Sequence, residues 1–447
     1  MAHDLPALAD QLLAAARAAG AESADVVAIG GTSLSIDVRG GRLEEAQRAE
    51  GLDLGLRVLI GRRQACVSAS DTAPYVLAQM AERAVAMARE APEDPFIGLA
   101  EAGQLSKVRD AEGLELSDPG PEPEPDALEN AAREAEAAAL AVEGVTQVQS
   151  SAAYGRRRIH LAASNGFSGG YDRTDRSLSC MAIAGEGLKM ERDYDYDSRI
   201  FAEDLRGAVE IGSRAGARAV ERMGARRPKT GAYPVLFDER ISSSLIGHLV
   251  SASNGAMIAR GSSWLRDRLG EQVLPEGLSL VEDPHRPRVP GSRPFDAEGL
   301  PTERRALVDG GVLTGWTLDL ATARKLGMES TANASRGPSG PPSPSVSNLA
   351  LTQGEASRED LMREMGSGLL VTSMIGSTIN PNTGDYSRGA SGFWVENGEI
   401  AYPVNEITVA GNLREFLRRM TPANDARTHL GRVVPSLLVE GLTLAGD

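Results

Sequence analysis

Residues 32–68 read TSLSIDVRGGRLEEAQRAEGLDLGLRVLIGRRQACVS. Over Thr32-Ser33-Leu34-Ser35-Ile36-Asp37-Val38 polar and apolar residues alternate, the period of a strand with one buried face. Gly40-Gly41 turns the chain. Leu52, Leu54, Leu56, Val58 and Ile60 then share one face of a second strand, Gly61-Arg62 turns again, and Ala65 to Ser68 return. Further along, Val308-Asp309-Gly310-Gly311-Val312 and Val395-Glu396-Asn397-Gly398-Glu399 carry the same message. Asp-Gly and Asn-Gly tolerate the positive φ that tight hairpin turns require. Strand-like runs at 147–163 and 174–186 are separated by Asn165-Gly166 and Gly169-Gly170.

Helical spacing appears between these hairpins. Leu5, Leu8, Leu12 and Ala16 mark an opening amphipathic helix. Others are expected from Asp71 or Thr72 to about Arg89, from Asp126 to about Val142, over 203–223 and over 239–253. Strands in hairpins, rather than in strand–helix–strand units, indicate an α+β fold instead of a doubly wound sheet. We divide the chain into an N-terminal α+β domain (1–224, helix and hairpin) and a strand-rich C-terminal α+β domain (225–447). ARRPK at 225–229 forms the junction. Inside the first domain, DAEGLELSDPGPEPEPD (110–126) reads as an acidic, Pro-rich linker or surface loop. In the second, RGPSGPPSPSVS (336–347) reads as a flexible loop without regular structure.

The chain has 447 residues, 41% of them hydrophobic, enough for substantial cores. Lys plus Arg is 47 and Asp plus Glu is 62, a net charge of −15. That balance argues against a nucleic-acid-binding protein, and 4% aromatics argue against base-stacking platforms. The abundant Ala reads as compositional bias. Two cysteines, Cys66 and Cys180, make neither a disulfide framework nor a Cys-rich zinc site. No stretch of 18 apolar residues exists, and the opening helix has no signal-peptide character. We therefore expect a cytoplasmic protein that does not span a membrane.

Several segments suggest chemistry. Gly166-Phe167-Ser168-Gly169-Gly170 matches G-x-S-x-G, but a nucleophile elbow needs a helix after the Ser, and a β-like run follows. Asp193-Tyr194-Asp195-Tyr196-Asp197 resembles the start of a calcium loop. Ser198 stands where Gly belongs and Asp204 where a bidentate Glu belongs, so a strand with an acidic face and a tyrosine face fits better. His248 lies on an expected helix, but Leu249 follows it and neither 252 nor 253 is His, so no helical zinc motif forms. Neither a Walker A motif nor a Rossmann glycine pattern is present. Residues 380–395, NPNTGDYSRGASGFWV, combine turn formers, Asp385, Arg388 and the apolar Phe393 and Trp394. Such a segment suits a groove for an extended peptide, though the pattern alone favours an ordinary structural loop with core aromatics.

That last segment, continuing through Glu396-Asn397-Gly398-Glu399-Ile400, resembles the PmbA/TldE branch of the TldD/PmbA family. Ser164 to Gly169, Met190 to Tyr194, Ala323 to Gly327, Pro403, Glu406-Ile407-Thr408 and Ala410-Gly411-Asn412 extend the resemblance. It implies a two-domain α+β protein that pairs with a TldD-like subunit as a heterodimer and acts on unfolded peptides. Alternatives are a homodimer when isolated, and a peptide-binding or regulatory role linked to DNA gyrase. In the TldD branch, zinc is held by two His of an H-E-x-x-x-H helix and by a Cys near the C-terminus. Carried over, His248 meets the first His, but Leu249 replaces the Glu, Ser253 the second His, and Leu430 stands where the Cys would fall. The resemblance thus implies no catalytic residue, no metal ligand set and no cofactor in this chain, with zinc expected in the TldD-type partner. Asn165, Gly166, Asp385, Tyr386, Ser387, Arg388, Gly389 and Phe393 are the expected substrate-binding or interface residues. In these roles Arg388 would hold a carboxylate by a bidentate contact and Tyr386 would donate to a peptide carbonyl. Asp385 and Arg388 read equally as a salt bridge that pins the loop.

Overall fold

The computed structural model describes residues 4–446, side chains at 377 and 378 excepted. Helix α1 (Leu5–Ala19) is followed by strands β1 (Ser23–Arg39), β2 (Arg42–Ile60) and β3 (Arg63–Ala69). Then come helices α2 (Pro74–Glu90) and α3 (Pro125–Leu140), strands β4 (Val145–Ala163), β5 (Ser168–Ala184) and β6 (Glu191–Arg199), and helix α4 (Ala208–Glu221). The strands form one antiparallel sheet in the order β3-β2-β1-β4-β5-β6. The β1–β2 turn has Gly40 at φ 62° and Gly41 at φ 70°, the double positive φ expected of Gly-Gly. On β1, Ala24, Val26 and Ala28 pack with α1 and α2, while Ile36 and Val38 pack with α3 and α4. All are even-numbered on an extended strand, so both helix pairs cover the same face of the sheet.

Two features escape sequence periodicity. Residues 42–51 of β2 are exposed on both faces, so their pattern (RLEEAQRAEG) carries no alternation. Pairing with β1 holds them extended, and their charges guard a free edge. The Ala-rich composition has a packing role in addition to any bias. Ala132, Ala135 and Ala139 of α3 meet Ala208, Ala215 and Ala219 of α4. The Ala135 carbonyl leaves no room for a Cβ at Gly212.

The second half begins with β7 (Gly231–Phe237), α5 (Glu239–Ala252) and α6 (Gly255–Ala259), followed by β8 (Leu280–Glu282), β9 (Arg305–Asp309) and β10 (Val312–Leu313). After α7 (Leu320–Leu326) come β11 (Ala334–Ser335), β12 (Ser343–Pro344) and β13 (Leu349–Leu351). The chain ends with α8 (Arg358–Met365), β14 (Gly368–Ile379), β15 (Asp385–Glu396), β16 (Glu399–Asn412), β17 (Thr421–Pro422), β18 (Arg432–Val433) and β19 (Leu437–Ala445). One sheet runs β16-β15-β14-β7-β19-β17, and β16 also pairs with β19, so five strands close on themselves. Among the described residues β7–β14 is the one parallel pair within it. Both Asp-Gly and Asn-Gly hairpins form: Gly310 and Gly311 lie at φ 54° and 91°, Asn397 and Gly398 at 54° and 81°. A smaller sheet runs β10-β9-β8-β13-β18. Val235 and Phe237 face a core shared with α5 (Leu245, Leu249), while Leu236 faces the opposite side with α8 (Leu361, Met362). The architecture is α+β. Among the described residues no helix is long and apolar enough to cross a membrane.

The halves interlock on the sheet face that the helices leave free. In the loop at 336–347, expected to be without regular structure, Ser343 and Pro344 pair back with the residues just before it in a short ladder, Ala334↔Pro344 and Ser335↔Ser343. Beyond it the Arg336 side chain, 0% exposed, reaches the Asp25 carboxylate on β1. Asp25 also accepts from Arg57 at 2.8 Å and 2.5 Å. Composition identifies the glycines and prolines of this loop but not the buried charge that anchors it. The acidic stretch at 110–126 is likewise anchored: Leu114 and Leu116 bury against Ile200. Their carbonyls accept from Arg288 and Thr174 N–H groups, each at 3.0 Å. On β6 the DYDYD run behaves as a strand. Asp195 pairs with Arg206 and Arg218 at 2.9 Å, and Asp193 pairs with Arg240 of α5 at 3.0 Å. Tyr194 and Tyr196 stack on the other, exposed side.

Candidate functional site

Strand β15 begins at Asp385 and runs beside α5, which carries His248. The Tyr386 ring is 2% exposed and packs edge-on against His248 (centroids 5.8 Å apart) and Phe416 (5.4 Å). Its hydroxyl donates to Met374 Sδ at 3.4 Å. Burial raises the Tyr386 phenol. Burial, with the Arg388 charge second, pushes the His248 imidazole down to about 4, so it is neutral near pH 7. Its Nε2 is buried and has no hydrogen-bond partner among the described residues. Arg388 donates from Nε to the Gly376 carbonyl at 2.7 Å. Asp385 is exposed and accepts from Thr383 Oγ1 (2.6 Å) and Asn412 Nδ2 (2.9 Å), contacts that lower its pKa. No ion pair joins Asp385 to Arg388 among the described residues. Ser387 is half-buried. A Cβ at Gly389 would stand 2.8 Å from Ile375 Cγ2, so glycine lets the two strands lie close. Phe393 is 8% exposed and belongs to the cluster under α8, on the sheet face opposite that core.

Asn165 and Gly166 lie apart from this group, in the first half, at the turn from β4 to β5. Asn165 Nδ2 donates to the Ala100 carbonyl at 3.0 Å, and its Oδ1 accepts from Phe167 N–H at 3.2 Å. Gly166 takes φ 94° with open space around its Cα, as the turn demands. A cleft of about 790 Å³ beside α1 is lined by Arg17, Glu22, Ser164 and Asn165 among others. Ser168 opens β5 instead of a helix, so G-x-S-x-G forms no elbow. The structure nonetheless gives Ser168 a neighbour that lies outside the G-x-S-x-G pattern. His160 Nε2 lies 3.1 Å from its Oγ, because the hairpin pairs His160 with Gly170 and Ala162 with Ser168. An i, i+8 pair flanking the Asn165-Gly166 turn carries that signal in the sequence.

A zinc ion needs about four donors, at least three of them from the protein. On α5, Leu249 points into the core at 0% exposure, and Ser253 Oγ donates to the Val250 carbonyl at 2.9 Å. Near the C-terminus the Leu430 carbonyl accepts from Arg286, and His429 Nε2 lies 3.6 Å from Asp197. Among the described residues no group of three or more His, Cys, Asp or Glu is arranged to hold a metal ion. The donor set around His248 does not fit zinc.

Comparison with known proteins adds a lineage. Residues 24–88, 118–223 and 230–446 match domain 1, the central domain and the C-terminal domain of the PmbA/TldA metallopeptidases. The chain is 36% identical over 428 residues to Metalloprotease PmbA of Escherichia coli O157:H7, covering 95% of this chain and 93% of that protein. It is 34% identical to the PmbA homolog of Haemophilus influenzae, with 95% and 92% covered. A Bacteroides thetaiotaomicron crystal structure described as a candidate modulator of DNA gyrase superposes with TM-score 0.92 at 29% identity, over 100% of both chains. TldE from Thermococcus kodakarensis superposes with TM-score 0.84 at 21% identity, over 98% and 100%, a likeness of fold. The chain belongs to the PmbA/TldD metallopeptidase family, in its PmbA/TldE branch.

Proposed function

We propose that this chain is the TldE/PmbA-type subunit of a heterodimeric TldD/TldE-like metallopeptidase that degrades or processes unfolded peptides. In this reading it lacks its own zinc site and shapes the substrate cavity, while a TldD-type partner supplies zinc, the general base and hydrolysis. The observation that carries the reading is the surroundings of His248: an imidazole with an orphan Nε2, a core leucine at 249 and a self-bonded Ser253. One donor cannot hold zinc, and without a neighbouring carboxylate nothing activates water. The relatives named Metalloprotease PmbA support membership of a peptidase system. Asn165, Gly166, Asp385, Ser387 and Arg388 are exposed or half-buried and are assigned to the peptide path or the partner interface. Tyr386, Gly389 and Phe393 support them from within the sheet.

The chain alone, the TldD-like protein of the same cell alone, and the pair are assayed for bound zinc and for cleavage of an unfolded protein. We expect zinc with the partner and full cleavage only by the pair. About one equivalent of zinc and cleavage by the lone chain would overturn the reading. A second reading, a non-catalytic regulator, is favoured by the relative described as a candidate gyrase modulator. A partner as active alone as in the pair would select it.

A further inference from the structure

We propose that Ser168 and His160 form a nucleophile–base pair that takes acyl groups from small carboxylic esters, a second site on the N-terminal half, independent of zinc and of the partner. The hairpin places the two side chains on one face of the sheet with Oγ and Nε2 3.1 Å apart, within the range of a working hydrogen bond. Ser168 is exposed while His160 is 8% exposed, so the nucleophile is open to solvent and the base is held behind it. The Ile159 carbonyl and His160 Nδ1 leave no room for a Cβ at Gly170, the residue opposite His160, so glycine there lets the ring lie flat on the strand. A cavity of about 440 Å³ adjoins the pair, with His160 and Gly170 in its wall. Arg158 lines the same cavity together with Asp172 and with Asp4, whose carboxylate caps the amino end of α1, so the charge around the pair is mixed. Burial pushes the imidazole below its usual range against the smaller opposing pull of Asp10 and Asp4 on and before α1, so at neutral pH it is unprotonated and able to accept.

The step balances within the site. In the tautomer protonated at Nδ1, His160 Nε2 takes the Ser168 proton as Oγ adds to the ester carbonyl carbon. The bond to the alcohol oxygen breaks, and that oxygen leaves with the proton returned from Nε2. Water then repeats the sequence, releasing the acid and restoring Ser168.

The test uses the full chain, without partner and in the presence of a zinc chelator, treated with a fluorophosphonate probe and with p-nitrophenyl acetate. We expect one adduct, located at Ser168 by peptide mass spectrometry, and a rate that falls with the protonation of His160 below neutral pH. Ser168→Ala should abolish both signals, and His160→Gln should lower them about 100-fold. Circular dichroism of each variant confirms the fold. If His160→Gln fails to fold, the pH profile of wild-type labelling at Ser168 stands in for it. No adduct at Ser168, or labelling indifferent to His160→Gln or to pH, overturns the pair. Cleavage of unfolded protein by the heterodimer is untouched by either result, so this proposal and the peptidase reading fail separately.

Discussion

Replacing Asp25 with Ala attacks the contact that joins the two halves. Asp25 is 3% exposed and receives the guanidinium groups of Arg57 and Arg336, whose side chains are 4% and 0% exposed. The substitution removes the carboxylate that both buried guanidinium groups pair with. Removing one partner of a buried ion pair costs about 3–5 kcal/mol, mostly the penalty of the charge left behind. At roughly 2–4 °C per kcal/mol for units of this size, the thermal midpoint should fall by about 6–20 °C. All three tryptophans, Trp264, Trp316 and Trp394, lie in the second half, so their fluorescence follows that half while far-UV circular dichroism follows both. In a urea titration we expect the variant to unfold earlier by dichroism than by fluorescence, because the N-terminal sheet loses its clamp first. Adding Arg336→Met to Asp25→Ala should restore part of the loss, since it removes one unpaired buried charge. Wild-type stability in Asp25→Ala, or a double variant weaker than the single one, would refute the clamp.

Phe393→Ala should cost about 3–5 kcal/mol in chemical denaturation, because the ring fills the cluster under α8, whereas Asp385→Asn on the exposed turn should stay within about 0.5 kcal/mol. Equal, small effects would mean that the ring is not a packing residue. His248 gives a pH signature. The folded state binds its proton only near pH 4, the unfolded state near 6.5, so the wild type loses stability as pH falls through that window. His248→Gln should lose less between about pH 7.5 and about pH 4.5, read as urea midpoints. Parallel profiles for the two proteins would show that the imidazole is not held neutral.

Local pattern alone fixes much of this molecule. Period-two alternation and the Gly-Gly, Asp-Gly and Asn-Gly turns depend on neighbours two to four residues away, so the hairpins, the helices and the α+β class were legible from residues such as Leu34, Leu54, Gly310 and Asn397. What tertiary structure decided were contacts between residues hundreds of positions apart. Arg336 gives no sign in the sequence that it will sit on Asp25, because the desolvation and pairing of a charge depend on everything packed around it. Tyr386 was read as a donor to peptide and Phe393 as apolar surface, and only the closure of β16 onto β19, with α5 on one side and α8 on the other, buried them against opposite faces.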